Sequence, residues 1–176
     1  MENMLIRDIE EKDFKSILSL NEISVQVLSP LDEDKLRRLI QMASIHVVVE
    51  ATNESNSNQE SDAENEIAAF LLVFSEDADY ESVNYQWFNK QYSNFKYIDR
   101  VVVSDKYRGM GIASHLYHHI LKQVQTSDAK VVCAEIDVLP PNEPSLLFHQ
   151  KFDFKELELL KHNENKVVSL QALKVN

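Results

Sequence analysis

The stretch Val103-Ser104-Asp105-Lys106-Tyr107-Arg108-Gly109-Met110-Gly111-Ile112-Ala113 decides how this chain is read. The chain holds only two glycines, Gly109 and Gly111, and both fall here. Average usage of about 7% would supply roughly a dozen, so their confinement marks a turn whose backbone needs the freedom that a Cβ denies. Before it, residues 96–103 read as a strand. After it, Ile112, Leu116, Ile120, Leu121 and Val124 recur at helical spacing over residues 111–125.

A glycine pair between a strand and a helix lets backbone N–H groups approach a ligand, and the unpaired amides and dipole of the helix start favour an anion. Lys106 and Arg108 add local positive charge. The same glycines would also serve a tight turn with no ligand at all. A Walker loop is excluded, because no Gly-x-x-x-x-Gly-Lys-Ser/Thr run occurs. A dinucleotide fingerprint is a rival: Gly109-x-Gly111-x-x-Ser114 opens a helix, and Asp137 ends the next strand. Against it stand Ser114 in place of the third glycine, the residues separating Val103 from Gly109, and the motif's place in the second half of the chain.

Outward from the motif, residues 130–138 read as a strand, and a helix follows with Asn142 as its cap and Pro144 in its first turn. Two strands near 154–160 and 166–173 close the sequence. Upstream, residues 3–9 read as a strand, Phe14, Ile17 and Leu18 share a helical face, residues 21–29 form a loop, and a second helix starts after Pro30 with Asp32, Glu33 and Asp34 at its positive end. Residues 45–50 and 67–74 pair as antiparallel strands. Between them, residues 52–66 hold five acids and no Lys, Arg or aromatic, the composition of a disordered hairpin insertion. Residues 78–95 carry Tyr80, Tyr85, Trp87, Phe88, Tyr92 and Phe95, which suit either a core closure or a substrate lid. The order predicts a single α/β domain over 1–176, a central mixed sheet flanked by helices.

The 18 basic and 29 acidic side chains give a net charge of -11, which disfavours nucleic acid and anionic membrane surfaces as partners. The longest apolar run, residues 67–74, is far shorter than the ~18 residues of a membrane span, and the first residues lack a secretory pattern. A lone Cys133 makes neither an intrachain disulfide nor a cysteine-rich zinc site, so the cytoplasm is the expected compartment. Cys133 reads as a small apolar strand residue rather than a nucleophile. His115, His118 and His119 share the helix after the motif, yet Leu116 stands where a zinc protease would have Glu and no third ligand is evident, so no metal is expected.

The quoted stretch resembles the acyl-CoA motif of the GNAT superfamily of N-acetyltransferases, Arg/Gln-x-x-Gly-x-Gly/Ala, with Arg108, Gly111 and Ala113 filling it. Downstream, Asn142-Glu143-Pro144-Ser145-Leu146-Leu147-Phe148-His149-Gln150-Lys151-Phe152-Asp153-Phe154 is similar to that family's Asn-x-x-Ala-x-x-Phe/Leu-Tyr-x-Lys-x-Gly-Phe segment. The resemblance implies a GNAT-like fold and acetyl-CoA as co-substrate. It implies that the backbone of Gly109, Met110, Gly111, Ile112, Ala113 and Ser114 binds pyrophosphate, that the main chain near Val101 and Val103 meets the pantetheine arm, and that Asn142 and Ser145 lie nearby. The acceptor it implies is a primary amine on a small molecule or peptide. Two departures stand out: Asp153 replaces the usual glycine, and His149 occupies the position of a catalytic Tyr.

Amine acylation needs a neutral amine, an oxyanion donor and a proton for the departing thiolate. His149 is the candidate acid, since imidazole titrates near neutrality; a packed histidine with water as donor is the other option. Asp99 and Glu135 are the candidate bases. Strand alternation puts Asp99 on the side of Val101 and Val103, and Glu135 on the side of Cys133 and Asp137. The alternative to an enzyme is a CoA-binding sensor of the same fold with little turnover. A homodimer is compatible with either.

Overall fold

Residues 66–75 are almost wholly apolar, the pattern of a strand covered on both faces, and in the computed structural model they form an interior strand of the sheet. The structure describes residues 4–24, 28–51 and 66–175. Along the chain these give β1 (Met4–Asp8), α1 (Phe14–Ile23), α2 (Glu33–Met42), β2 (Ile45–Ala51), β3 (Glu66–Ser75), α3 (Val83–Gln91), β4 (Phe95–Val103), α4 (Ile112–Gln125), β5 (Val131–Leu139), α5 (Glu143–Lys151), β6 (Lys155–Asn163) and β7 (Lys166–Lys174). The strands lie in the order β1-β2-β3-β4-β5-β7-β6. Every neighbouring pair is antiparallel except β4 and β5. The fold is thus an α/β domain on a mixed sheet, as expected.

Each face of the sheet buries its own core. Phe70, Leu72, Phe74, Phe95 and Tyr97 pack with Ile17 of α1, Leu36 of α2 and Tyr85 and Phe88 of α3. Leu71, Val73, Ile98, Val132 and Ile136 pack with Leu116, Tyr117, Ile120 and Val124 of α4. At about 1.5–3 kcal/mol per fully buried large apolar side chain, these layers carry the fold. The cap read from sequence forms as expected, Asn142 accepting from the Ser145 amide at 3.3 Å, and Asp32 at the start of α2 caps that helix by accepting from the Lys35 amide at 2.7 Å. Strand β6 is exposed along almost its whole length and carries the Lys and Glu typical of a protected edge. Among the described residues, no helix is long and apolar enough to cross a membrane.

Three expectations change. Asn21 and Glu22 belong to α1, because the helix continues to Ile23; residues 25–27 lie outside the described set. Glu66 opens β3 opposite Ala51 instead of closing the acidic insertion, the rest of which, 52–65, is also outside the described residues. The third concerns Asp99. Leu72 faces Arg100 while Val73 faces Ile98, so Asp99 is the extra residue of a bulge in β4. A bulge resets the alternation of side chains, and Asp99 joins Tyr80 and Arg100 on the side of α1 and α3, opposite Val101 and Val103.

Candidate active site

Strands β4 and β5 are paired only from Phe95–Val131 to Ile98–Ala134. Past that point they part, and the edge of β4 turned toward β5 has no strand partner among the described residues. Backbone polar groups left open there must meet water or a ligand. The opening is a cleft of about 660 Å³ that runs through the sheet. Arg108, Ala113, Asn142, Ser145 and His149 line it on the α4 and α5 side, and Asn84, Asp99 and Glu135 on the α3 side.

At one end lies the glycine turn. Gly109 and Gly111 have φ of +79° and +82°, a left-handed backbone that other residues adopt only under strain, and nothing lies within 4 Å of where either Cβ would stand. The first helical bond of α4 runs from the His115 amide to the Gly111 carbonyl at 3.1 Å, so the amides of Ile112, Ala113 and Ser114 precede the ladder and have no partner within the helix. Ile112 buries its side chain in the core, while Met110 is exposed. Arg108 is held by Asp105 at 2.9 Å on the surface beside this turn. Val101 and Val103 lie along the open stretch of β4, and both line the cleft.

His149 sits in the wall at 4% exposure with both ring nitrogens engaged. Nδ1 donates to the Ser145 carbonyl at 2.8 Å, which leaves Nε2 of the neutral ring to accept from the Tyr117 hydroxyl at 2.7 Å. Burial holds the imidazole below its ordinary pKa, with the Ser145 carbonyl opposing, and pushes the Tyr117 phenol up. The neutral ring is therefore the resting form at neutral pH.

On the other side Glu135 accepts from Tyr97, and Asn84 lines the same part of the cleft. Burial pushes its carboxyl up to about 7, the Tyr97 bond pulls it down, and the Asp99 charge adds to the rise. Asp99 is differently placed. It accepts from the Tyr80 hydroxyl at 2.5 Å and from the Arg100 guanidinium at 2.6 Å, and Arg100, 3% exposed, reaches on to Asn21 of α1 at 2.9 Å and Ser29 at 3.3 Å. Burial acts against the charge of Arg100, but Asp99 outweighs it and the guanidinium pKa is raised.

The remaining candidates lie elsewhere. His115, His118 and His119 each bond within α4, to the Gly111 carbonyl, the Ser114 carbonyl and Gln123. Among the described residues no cluster of metal-ligating side chains converges. Cys133 is buried in β5, and burial pushes its thiol up. The aromatics of residues 78–95 turn inward: Tyr85, Phe88 and Phe95 are fully buried and Tyr80 packs tilted against Phe74, ring centroids 4.6 Å apart. The site residue supplied by that segment is Asn84, which sequence reasoning missed along with Tyr97 and Tyr117. A tyrosine at the apolar spacing of a strand or helix carries no local sign that its hydroxyl meets an ionisable partner.

The sequence model of the acetyltransferase (GNAT) family matches residues 33–154. No curated protein matches the chain. Solved structures with a similar fold include Ard1 from Thermoplasma volcanium, at 14% identity and a TM-score of 0.74, with 99% of each chain covered. Arabidopsis thaliana Naa50 in complex with the bisubstrate analogue CoA-Ac-MVNAL is similar at 15% identity and TM-score 0.68, covering 97% of this chain and 98% of that one. Arabidopsis thaliana NAA60 in complex with acetyl-CoA is similar at 16% identity and TM-score 0.70, with 98% of each chain covered.

Proposed function

The chain belongs to the acetyltransferase (GNAT) family, and on that premise we propose that it moves an acetyl group from acetyl-CoA to the primary amine of a peptide or small molecule, by direct transfer while both are bound. One observation carries the reading: the parting of β4 and β5 opens a single cleft with anion-binding amides at one end and a carboxyl tuned to about 7 at the other. A carboxyl poised near neutral pH is suited to turnover and not only to binding, which favours an enzyme over a sensor.

The residues fit the co-substrate. The amides of Ile112, Ala113 and Ser114, with the left-handed turn at Gly109 and Gly111 ahead of them, would hold its pyrophosphate. Arg108 stands beside them, and the open edge of β4 at Val101 and Val103 would meet its amide-bearing arm. Asn142 and Ser145 line the same channel. When bound, acetyl-CoA supplies an activated thioester.

Glu135 takes the proton that the ammonium form of the acceptor must lose. Tyr97 holds its carboxylate in the cleft wall. Asp99 is a positioning residue: its charge is bound to Arg100, and through Arg100 it fixes Asn21 and Ser29 at the acceptor side. On the opposite wall, Tyr117 and His149 work as a pair. With a neutral ring the Tyr117 proton points at His149 Nε2; a proton on Nε2 reverses that bond and frees the Tyr117 O–H for the cleft. His149 thus acts through Tyr117.

Calorimetric titration with acetyl-CoA, with NAD and ATP as controls, followed by thiol release in the presence of free-amine peptides, lysine and polyamines, tests the reading. Binding of acetyl-CoA with amine-dependent thiol release is the expected result. Binding without release from any amine would favour the sensor, and a response to NAD alone would overturn the assignment.

A further inference from the structure

Lys166 opens β7 and is the one lysine among the described residues that line the cleft. Its place follows from strand alternation. Across the β5 and β7 ladder Glu135 faces Leu170 and Asp137 faces Val168, and side chains directly opposite one another share a face. Continuing the period of two along β7, Lys166 falls on that same face at the Asp137 end. There its Nζ donates to the Asp137 carboxylate at 3.2 Å, and Asp137 is 7% exposed. The Asp137 carbonyl accepts from the Asn142 amide at 2.9 Å, which ties this end of β5 to the start of α5. Asp137 and Glu135 are alternate residues of one strand, about 7 Å apart. A primary amine is thus held beside the candidate base, in the cleft that Asn142 and Ser145 also line.

We infer that Lys166 is an acceptor built into the chain, acetylated on Nζ by the acetyl-CoA bound in its own cleft. The inference rests on the reading of the cleft as an acetyl-CoA site with Glu135 as proton acceptor. The amine belongs to the class that the reaction consumes. Its stem is four flexible carbons, so Nζ can leave Asp137 for the thioester without backbone movement. Attachment to the same chain replaces a bimolecular encounter with an intramolecular one and gives the amine a high effective concentration.

The step balances with the groups already described. The Lys166 ammonium gives one proton to the Glu135 carboxylate. The nitrogen lone pair then attacks the thioester carbonyl carbon, and the C–S bond breaks with its electron pair left on sulfur. A second proton leaves nitrogen as the amide forms, and the thiolate takes up one proton through Tyr117. The products are Nζ-acetylated Lys166, free CoA and one proton, which Glu135 passes to solvent.

The full chain is incubated with deuterated acetyl-CoA and no other amine, and the label is located by peptide mass mapping. The expected result is label on Lys166 at least about tenfold faster than on the exposed Lys90, Lys122 and Lys155, at a rate per molecule that does not change with protein concentration. Lys166→Arg keeps a cation for Asp137 but has no primary amine, and it should lose that label without gaining it elsewhere. A second readout involves no transfer: CoA lacking the acetyl group should slow reductive methylation of Lys166 by formaldehyde and leave Lys155 unaffected. Equal labelling of all lysines, a rate that rises with protein concentration, or methylation of Lys166 indifferent to bound CoA overturns the inference. Thiol release with added amines reads the underlying function separately. Release with free-amine peptides, lysine or spermidine beside an unlabelled Lys166 leaves the acetyltransferase standing and overturns Lys166 as its acceptor. Labelling of Lys166 undiminished in Glu135→Gln upholds the acceptor and overturns Glu135 as the base, while absence of acetyl-CoA binding overturns both statements.

Discussion

The Tyr117 hydroxyl meets His149 Nε2 at 2.7 Å inside the cleft wall, although the two residues come from different helices. Where the second motif's pattern has a tyrosine, this chain has histidine, and α4 brings a phenol against that histidine. Because Ser145 claims the other ring nitrogen, His149 offers no free N–H of its own, and Tyr117 is the member of the pair with a hydroxyl to give.

Replacing Tyr117 with Phe removes that hydroxyl while keeping the ring that packs on Phe148 at 4.8 Å. Turnover should fall by about 10²-fold, the usual worth of a positioned proton donor, with acetyl-CoA affinity preserved. The buried Nε2 loses its partner, so stability should drop by about 1–3 kcal/mol. Steady-state kinetics and chemical denaturation measure the two effects, and full turnover in Tyr117→Phe excludes the pair from the chemistry.

Glu135→Gln keeps the shape of the side chain and removes its basicity. A loss of kcat of about 10²–10⁴-fold is expected. In the wild type, activity should rise with pH through about 7, since the carboxylate form is required and burial holds the carboxyl there. A pH profile of kcat/KM with an acid limb near 4.5, the ordinary glutamate value, would show that the group in control is another one.

The same carboxyl affects stability in the opposite sense. Its folded pKa lies above the ordinary 4.5, so the folded state binds more protons than the unfolded chain between about 4.5 and 7, and stability falls as pH rises across that window. Glu135→Gln escapes this loss. Thermal melts should coincide for the two proteins at pH 4 and separate by pH 8, with the variant more stable by about 1–3 kcal/mol. Equal melts at pH 8 would contradict the buried setting of Glu135.

Gly111 carries φ of +82° with open space where its Cβ would be. Gly111→Val has room in the free protein, so its cost there is backbone strain of about 1–3 kcal/mol. The branched side chain would occupy the approach to the α4 amides. Acetyl-CoA affinity measured by calorimetry should fall at least tenfold, and unchanged affinity would place the co-substrate elsewhere.

Asp99→Ala strands the buried Arg100 guanidinium. Removing one partner of a buried ion pair costs about 3–5 kcal/mol, so the melting temperature should drop sharply. Asp99→Asn, which keeps an acceptor for Arg100, should recover much of that stability and much of the activity. If Asp99→Asn melts like the wild type yet loses turnover as fully as Glu135→Gln, Asp99 is a base after all.

The sequence by itself determined the strand-turn-helix at Gly109 and Gly111, the second motif from Asn142 to Phe154 and the mixed sheet. Each is written in short-range signals: glycine for a left-handed backbone, a capping side chain, apolar residues at a period of two or 3.6. The tertiary structure decided how the site is wired. A bulge at Asp99 reversed the face that simple alternation assigns, because one extra residue resets every side chain around it. Tyr97 and Tyr117 gained their roles from contacts that span tens of residues. Whether a hydroxyl or an amide meets a carboxylate or an imidazole depends on which elements pack together, and no local spacing encodes that.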